Sequence, residues 1–306
     1  MSEIVIVGAA GWAGIELVRV LVAGDVDFRV ISHSDDGARR LRDAGARDIV
    51  HADLGEPGTL VEAFAGVRTV YAIPPTLHPR EDDLIIDAAR IAEAGGVVHF
   101  VYHSVMHPHT PFLRNHLRKA RVESMLHSTR LKWTIVQPSV YAQVLIAMFA
   151  GHHAGAVGVP FDIDAEIAVL DLADCAEISA NLVTQPDRHE YATYELAGPL
   201  VTMRKAVAAL GRARTIDLQP QTVRCDHGPL PAADKSSEAV ADMISTYAHY
   251  DRHGFRGNTF VLTQLLGRSP RTFDDVVRRH FGSVTTADEY RQIRPMEAGG
   301  RYVERH

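Results

Sequence analysis

The sequence is poor in cysteine, in long apolar runs and in net positive charge. Its 306 residues include two cysteines, Cys175 and Cys225, which lie far apart and form no Cys-x-x-Cys pair. They argue against a disulfide framework and predict reduced thiols in a cytoplasmic protein. No stretch offers the roughly 18 consecutive apolar residues that a membrane span needs. The formal net charge of −6 argues against a general nucleic-acid-binding protein.

The amino-terminal segment MSEIVIVGAAG has a short apolar run and no positively charged region before it. It predicts a buried strand and not a signal peptide. The hydrophobic content of 46% and the charged content of 23% are ordinary for a soluble globular protein. The length suits one large α/β domain or a domain with a smaller partner.

Short β-rich runs alternate with amphipathic stretches over the first half of the chain. The predicted strands are residues 4–7, 28–32, 48–52, 69–73, 97–102 and 133–137. The predicted helices are residues 14–22, 38–44, 59–64, 80–94 and 112–128. Near-continuous apolar strands separated by helices indicate a parallel sheet covered on both faces. The predicted fold class is therefore α/β, with a Rossmann-type doubly wound parallel sheet.

After about residue 140 this alternation weakens. Residues 151–161 predict a Gly-rich loop, residues 170–186 an Asp-capped helix, and residues 236–250, 260–266 and 269–281 further helices. We predict a dinucleotide-binding core at 1–150 and a smaller α/β lobe at 151–306, interleaved with the core or forming one domain with it. Such a lobe would close over the carboxyl ends of the strands and supply substrate contacts.

A glycine-rich turn directly follows the first predicted strand. The segment VIVGAAGWAGIEL needs glycine for a tight turn, for close approach of the backbone to a pyrophosphate and for close helix packing. The helix amino terminus would add free N–H groups and a partial positive charge. The residues predicted to contact the dinucleotide here are Gly8, Ala10, Gly11, Trp12, Ala13 and Gly14.

The end of the second predicted strand bears on the choice between NADP and NAD. The residues predicted to contact the cofactor there are Ser32, His33, Ser34 and Arg39. Serine and histidine with nearby arginines slightly favour NADP(H) over NAD(H), whereas Asp35 or Asp36 would favour NAD. Further predicted cofactor contacts follow the third, fourth and sixth strands, namely Asp53, Leu54, Ile73, Pro74, Pro75 and Pro138. Asp53 is placed to reach the adenine amino group.

Taken together, these motifs resemble those of the NmrA-like family of atypical short-chain dehydrogenase/reductases. The family's G-x-x-G-x-x-G turn matches Gly8, Gly11 and Gly14, and its G-D-L element appears as ADL at residues 52–54. Its K-x-x-x-E helix matches Lys119 and Glu123, and WTIVQP at residues 133–138 matches the strand after it. The tail at residues 247–281 is also similar, so the resemblance covers nearly the whole chain. It implies a Rossmann core with bound NADP or NAD, in reductases of quinones or aromatic carbonyls, in non-catalytic regulators, or in epimerases.

The tyrosine of the usual Tyr-x-x-x-Lys pair is missing. Lys119 stands where the resemblance places the lysine that binds the nicotinamide ribose, but Asn115 stands four residues before it. An amide is no proton donor of comparable acidity. His103, Ser104, His116 and Tyr141 are predicted to act at the site instead, with Tyr102 a further candidate acid. His103 and Lys119 are also predicted cofactor contacts.

Residues 103–123 hold four histidines and several basic residues, which raises two other interpretations. His103, His107 and His109 have spacing that a metal ion would allow, but prolines surround them and no cysteine or carboxylate is near. We predict no metal site. The basic residues of the following helix predict a solvated face and not a nucleic-acid patch.

The sequence therefore predicts a cytoplasmic NAD(P)H-dependent reductase of a small apolar or aromatic carbonyl, quinone or enone. The alternatives are a non-catalytic NAD(P)-binding redox sensor and a cofactor-retaining epimerase or isomerase. The predicted partner is a small-molecule substrate, and neither nucleic acid nor a membrane is predicted to bind. A homodimer or a complex with a protein partner is left open.

Overall fold

A computed structural model describes residues 3–149, 151–223 and 236–282. The chain divides into two compact units, Met1–Pro138 with Leu172–Leu196, and Ser139–Asp171 with Ala197–His306 so far as it is described. Cys175 is buried and free, while Cys225 lies outside the described residues. Within those ranges, every helix falls short of the length and apolar content needed to cross a bilayer.

The first unit alternates strands and helices. Its elements are β1 (Ile4–Val7), α1 (Trp12–Ala23), β2 (Arg29–Ser32), α2 (Asp35–Asp43), β3 (Asp48–His51), α3 (Pro57–Ala63), β4 (Thr69–Ala72), α4 (Glu81–Ala94), β5 (His99–His103), α5 (Arg114–Leu126) and β6 (Lys132–Pro138). Each predicted strand and helix of this region is present, with ends that differ by a few residues.

Together with β10 (Ala192–Leu196), the strands of the first unit form one seven-stranded sheet in the order β10-β6-β5-β4-β1-β2-β3. Every neighbouring pair is parallel. The chain starts in the middle, winds to one edge through β2 and β3, and then returns across β1 to wind towards the other edge. This order is that of a doubly wound Rossmann-type fold, which confirms the predicted fold class.

Helices cover both faces of the sheet because side chains alternate along each strand. Val70 and Ala72 of β4 belong to a buried cluster that includes side chains of α3, α4 and α5. Tyr71 lies between them in sequence, points to the opposite face and contacts Ser179 of α7 (Leu172–Thr184). Strands that are apolar on both faces, such as the fully buried β4, are what a covered parallel sheet requires.

Residues 172–196 belong to the first unit, although the sequence pattern places them in the second region. They contain α7 (Leu172–Thr184), a short 3-10 helix and the last strand of the sheet, β10 (Ala192–Leu196). The physical reason is pairing, since β10 extends the sheet beside β6 along its whole length, from Ala192 opposite Thr134 to Leu196 opposite Pro138. The helix α7 packs against α1.

The second unit is built from shorter elements. They are β7 (Val140–Tyr141), α6 (Ala142–Phe149), β8 (Gly155–Val159), β9 (Glu166–Leu170), β11 (Leu200–Thr202), α8 (Met203–Arg214), β12 (Leu218–Thr222), α9 (Ser237–His253), α10 (Phe260–Leu266) and α11 (Phe273–Phe281). They form a three-stranded sheet, β11-β9-β7, and a two-stranded sheet, β12-β8. The predicted Gly-rich loop at 151–161 therefore contains a strand, β8, which pairs in parallel with β12.

Candidate cofactor and active site

The turn between β1 and α1 is tight, and the backbone approaches other backbone atoms closely at Gly8 and Gly14, as the sequence predicted. Gly8 has φ of +71°, and a Cβ placed there would lie 2.3 Å from the carbonyl oxygen of Ile73. A Cβ at Gly14 would lie 2.4 Å from the carbonyl oxygen of Ala9. The left-handed conformation and the two close backbone approaches exclude any larger side chain without movement of the turn.

No side chain of the described residues caps the amino terminus of α1. Gly11 is the N-cap residue, its backbone is extended, and neither a side-chain cap nor an acidic residue occupies the first turn. A Cβ at Gly11 would meet nothing closer than 3.5 Å. The backbone N–H groups of Trp12 and Ala13 thus lie in a helix terminus that favours an anion.

The serines at the end of β2 form hydrogen bonds with the local backbone. Ser32 is buried and its hydroxyl donates to the carbonyl of Ser34 at 2.9 Å. The Ser34 side chain accepts a hydrogen bond from Gly37 N at 3.2 Å and caps α2. His33 is exposed. The two serine side chains therefore shape the turn at the carboxyl end of β2.

The arginine predicted to bind an NADP phosphate is engaged with an acid of its own helix. Arg39 lies exposed and forms a salt bridge with Asp36. Arg40 approaches the same carboxylate at 3.2 Å. Because the Arg39–Asp36 pair is solvent-exposed and spans one helical turn, it is weak, and its guanidinium is available to a stronger anion.

The carboxyl ends of β3 and β4 also meet this edge. Asp53 follows β3, and its carboxylate accepts a hydrogen bond from Gly55 N at 2.7 Å in a tight turn. Leu54 packs against the core. Ile73, which precedes Pro74 and Pro75, lies against Gly8, so β4 leaves the sheet beside the glycine turn. Both predicted segments lie at the edge where open α/β sheets bind ligands.

Lys119 forms a buried ion pair that the sequence did not indicate. Its Nζ donates to Oε1 of Glu81, from α4, at 2.7 Å. Asn115, in the position of the missing tyrosine, has a buried Oδ1 that finds no hydrogen-bond partner among the described residues. The lysine is therefore held by a carboxylate, and no phenol accompanies it on α5.

Ser104 belongs to a second polar cluster, at the ends of β5 and β6. Its hydroxyl donates to the carboxylate of Glu123, a buried residue of α5. Nε2 of Gln137 lies 2.9 Å and 3.0 Å from the two oxygens of that carboxylate. The carboxylate joins α5 to both strand ends, and it accounts for the glutamate of the K-x-x-x-E motif.

His103 lies on the other face of the sheet, inside a chain of hydroxyl groups. Nδ1 of His103 is 2.8 Å from the hydroxyl of Tyr71, which is 2.7 Å from Oγ of Ser179. Burial, with a smaller contribution from the charge of Lys119, lowers the pKa of His103 to about 3. The imidazole is neutral near pH 7, so it acts as a hydrogen-bonding group and not as a cationic acid.

His116 is buried, and its Nδ1 donates to the carbonyl of His107 at 3.0 Å. This bond fixes the loop before α5. His107 itself lies 3.6 Å from the carboxylate of Glu195 on β10. Across the described ranges, no three histidine, cysteine or acidic side chains are arranged to hold a metal ion.

The remaining predicted residues lie at the end of the sheet strand β6 or in the second unit. Pro138 ends β6 and is buried, and its carbonyl accepts a hydrogen bond from Met106 N at 2.9 Å. Tyr141 lies on β7, half-buried, and belongs to the second unit. Its predicted place in a substrate pocket stays a prediction.

Four polar residues of these clusters were missed as site candidates: Glu81, Tyr71, Ser179 and Gln137. A usable signal existed for Tyr71 and Gln137, which are large polar side chains inside predicted buried strands. No local signal marks Glu81 or Ser179, because their partners lie 38 and 108 residues away in sequence.

The strand order and the glycine turn define a dinucleotide-type Rossmann protein. A family model described as the NmrA-like family matches residues 1–268. The chain belongs to that family, as the motifs predicted.

Among similar proteins, the NAD(P)H azoreductase of Xenophilus azovorans is 27% identical over 291 residues, covering 90% of this chain and 97% of that protein. The crystal structure of the NADPH-dependent quinone oxidoreductase QOR2 of Escherichia coli, complexed with NADPH, has a TM-score of 0.75 at 22% identity, covering 91% of this chain and 99% of that chain. The structure of the negative transcriptional regulator NmrA in complex with NAD has a TM-score of 0.76 at 18% identity, covering 92% and 96%. The proteins to which this chain is similar therefore include two named reductases and a regulator.

Proposed function

We propose that the protein is an NAD(P)H-dependent reductase, with NADPH slightly preferred, that acts on a small apolar or aromatic carbonyl, quinone or enone. The observation that carries the proposal is the β1–α1 turn, in which Gly8 and Gly14 bring backbone against backbone and leave the terminus of α1 uncapped. This turn suits a pyrophosphate. The similarity to an azoreductase and to a quinone oxidoreductase supports the choice of a reductase.

A bound reduced nicotinamide would supply a hydride to the acceptor. The chain's own residues would bind the cofactor, orient it and supply the proton. Backbone N–H groups of Trp12 and Ala13 would hold the phosphates, and Asp53 would accept from the adenine amino group. Lys119 would donate to the ribose hydroxyls and lend a proton. Neutral His103 would serve as a hydrogen-bonding group at the end of β5.

The finer assignments have support of different kinds. Arg39 supports NADPH, since its exposed pair with Asp36 yields readily to a phosphate. Ser104 is a weaker candidate for contact with substrate, because its hydroxyl is donated to the buried carboxylate of Glu123. Tyr141 remains the candidate of the second unit, which we propose to supply substrate contacts. We also propose a cytoplasmic location, from the cysteine usage.

The test is to titrate the purified protein with NADH and NADPH, and then to follow loss of reduced-nicotinamide absorbance with a panel of quinones, enones and aromatic carbonyls. Lys119→Met is expected to lower turnover, whereas the matched control Lys132→Met is expected to leave it unchanged. Lys132 also pairs with a glutamate, Glu190, but it lies at the opposite end of the strands. A protein that binds neither dinucleotide would refute the proposal.

A second function, a dinucleotide sensor that does not turn its cofactor over, is favoured by one observation. Asn115 replaces the tyrosine that normally delivers the proton, and the described residues provide its buried Oδ1 with no partner. The similarity to a transcriptional regulator crystallised with NAD supports the same alternative. Tight dinucleotide binding without turnover of any acceptor in the panel would favour the sensor. An isomerase would convert its substrate without net consumption of cofactor.

A further inference from the structure

A buried ion pair joins the first turn of α4 to α5. Nζ of Lys119 is 2.7 Å from Oε1 of Glu81, and the two side chains are 11% and 1% exposed. Nε of Arg118 lies 3.6 Å from the same oxygen. A buried carboxylate is costly unless cations compensate it. The two basic residues of α5 therefore allow Glu81 to be charged inside the first unit.

The second oxygen of this carboxylate is unused. Oε2 of Glu81 is buried and has no hydrogen-bond partner within the described part of the chain. The hydroxyl of Tyr102 is likewise buried and without a hydrogen-bond partner among those residues. Tyr102 lies on β5, fully buried. Burial raises its pKa well above the ordinary value, and the charge of Glu81 contributes more to this than that of Glu123 or Asp82. Buried polar atoms without a partner are rare in native proteins, and a catalytic role or a bound water is among the explanations for them.

Lys119 depends on Glu81 for the position of its ammonium. A lysine ammonium sits on a flexible four-carbon stem. In the Tyr-x-x-x-Lys arrangement the phenol stands one helical turn before the lysine, where this chain has Asn115. Among the described residues the ammonium has Glu81 as its hydrogen-bond acceptor, so it uses one of its three donors. The others are available to a ligand.

We infer that Glu81 is a positioning residue of the proposed reductase site. From α4 it holds the ammonium of Lys119 in a fixed place. The inference rests on the proposed function for its catalytic consequence. Its structural part concerns residues of the first unit alone.

A matched control exists on the same turn of α4. Asp82 pairs with Arg121 of α5 at 2.6 Å, and its side chain is 10% exposed. Asp82→Asn therefore weakens an ion pair between the same two helices without touching Lys119. Glu81→Gln removes the charge that faces Lys119, and Glu81→Asp keeps the charge but withdraws it by one methylene.

Three measurements separate positioning from mere helix packing. They are thermal unfolding, NADPH affinity by fluorescence titration, and kcat/KM for a quinone across the pH range. In Glu81→Gln we expect kcat/KM to fall by about 10-fold to 100-fold. Glu81→Asp is expected to fall between Glu81→Gln and wild type, and Asp82→Asn to match wild-type kinetics even if it unfolds at lower temperature.

A readout without turnover is available because the chain contains four lysines. With lysine side chains labelled with 15N, the Lys119 signal is identified by its loss in Lys119→Met. We expect that signal to be sharp in wild type and in Asp82→Asn, to shift on addition of NADPH, and to be broadened in Glu81→Gln.

Two outcomes would overturn the inference. One is that Glu81→Gln matches Asp82→Asn in kinetics, pH profile, NADPH affinity and the Lys119 signal, which would leave Glu81 a purely structural residue. The second outcome applies if Glu81→Gln does not fold: Glu81→Asp would then match Asp82→Asn in the same four measurements. Failure of the proposed function looks different: wild type would then bind no dinucleotide or reduce no acceptor, while the Lys119 signal would still report its dependence on Glu81.

Discussion

Replacing the three turn glycines one at a time by alanine should separate stability from ligand binding. At Gly8 the new side chain meets both φ of +71° and a backbone oxygen at 2.3 Å. The left-handed conformation costs about 1–2 kcal/mol, and overpacking adds about 1–3 kcal/mol. At Gly14 a Cβ would lie 2.4 Å from Ala9 O, so the overpacking cost of about 1–3 kcal/mol applies there too.

Gly11 differs because its Cβ would meet nothing closer than 3.5 Å, at Gly8 O. Its φ of −78° and ψ of 172° suit alanine. The poorer N-cap costs about 0.5–1 kcal/mol, and the reduced entropy of the unfolded chain offsets about 0.4–1 kcal/mol. The unfolding free energy of Gly11→Ala should therefore stay close to that of wild type, whereas the added methyl group obstructs the approach of a pyrophosphate.

The assay is thermal unfolding of each variant with and without NADPH. We expect Gly8→Ala and Gly14→Ala to lose several degrees in Tm, since about 1 kcal/mol corresponds to about 2–4 °C in proteins of this size class. Gly11→Ala should keep the Tm of the free protein but lose most of the rise in Tm that NADPH causes. In wild type, NADPH at 100 times its Kd should stabilise the folded state by about 2.7 kcal/mol. An unchanged ligand-induced shift in Gly11→Ala would refute dinucleotide binding at this turn. A fully stable Gly14→Ala would refute the geometry.

Four further outcomes are expected. Tyr71→Phe removes a hydroxyl between two buried groups and should lower the unfolding free energy by about 1–3 kcal/mol in urea titrations; no change would contradict the network. Burial lowers the pKa of His103 to about 3 and that of His99 to about 4, from 6.5. Both are neutral in the folded protein, so stability is complete above about pH 6.5 and should fall as pH drops towards 4, where unfolded chains bind more protons; denaturation midpoints at pH 7.5 and 5 test this. Arg39→Ala should weaken NADPH binding about 10-fold and leave NADH binding unchanged, which calorimetry would measure. Thr272→Ala removes the capping box of α11 and should cost about 1 kcal/mol, seen as a lower Tm.

The fold of the first unit could be predicted because its strands and helices carry strong local signals. The strand β4 and the helix α4 are recognisable from apolar runs and from period alone, and the glycines mark the turn that joins β1 to α1. The rule that crossovers are right-handed limits the strand orders that such a series of strands and helices can adopt. The second unit has shorter elements, so its Gly-rich strand β8 looked like a loop; glycine is a poor strand former, and pairing with β12 stabilises the strand.

The candidate site was predicted where it depends on one segment and missed where it depends on two. Lys119 could be placed from its helix motif, but its partner Glu81 belongs to another helix. In the same way, His103 was recognisable at the end of β5, whereas its buried, neutral state depends on Tyr71 of β4 and on the helix α7 behind it. Side-chain partners between elements are set by packing, which the sequence does not display.

The position of β10 late in the sequence affects when the first unit can fold during synthesis. A fragment ending at residue 150 would lack α7, so the face of α1 that packs on it would be exposed, and β6 would become an open sheet edge. On the ribosome, the sheet can be completed only after the segment Ser139–Asp171 has been synthesised. Limited proteolysis of nascent chains of increasing length should therefore find protection of β6 only once residue 196 has emerged.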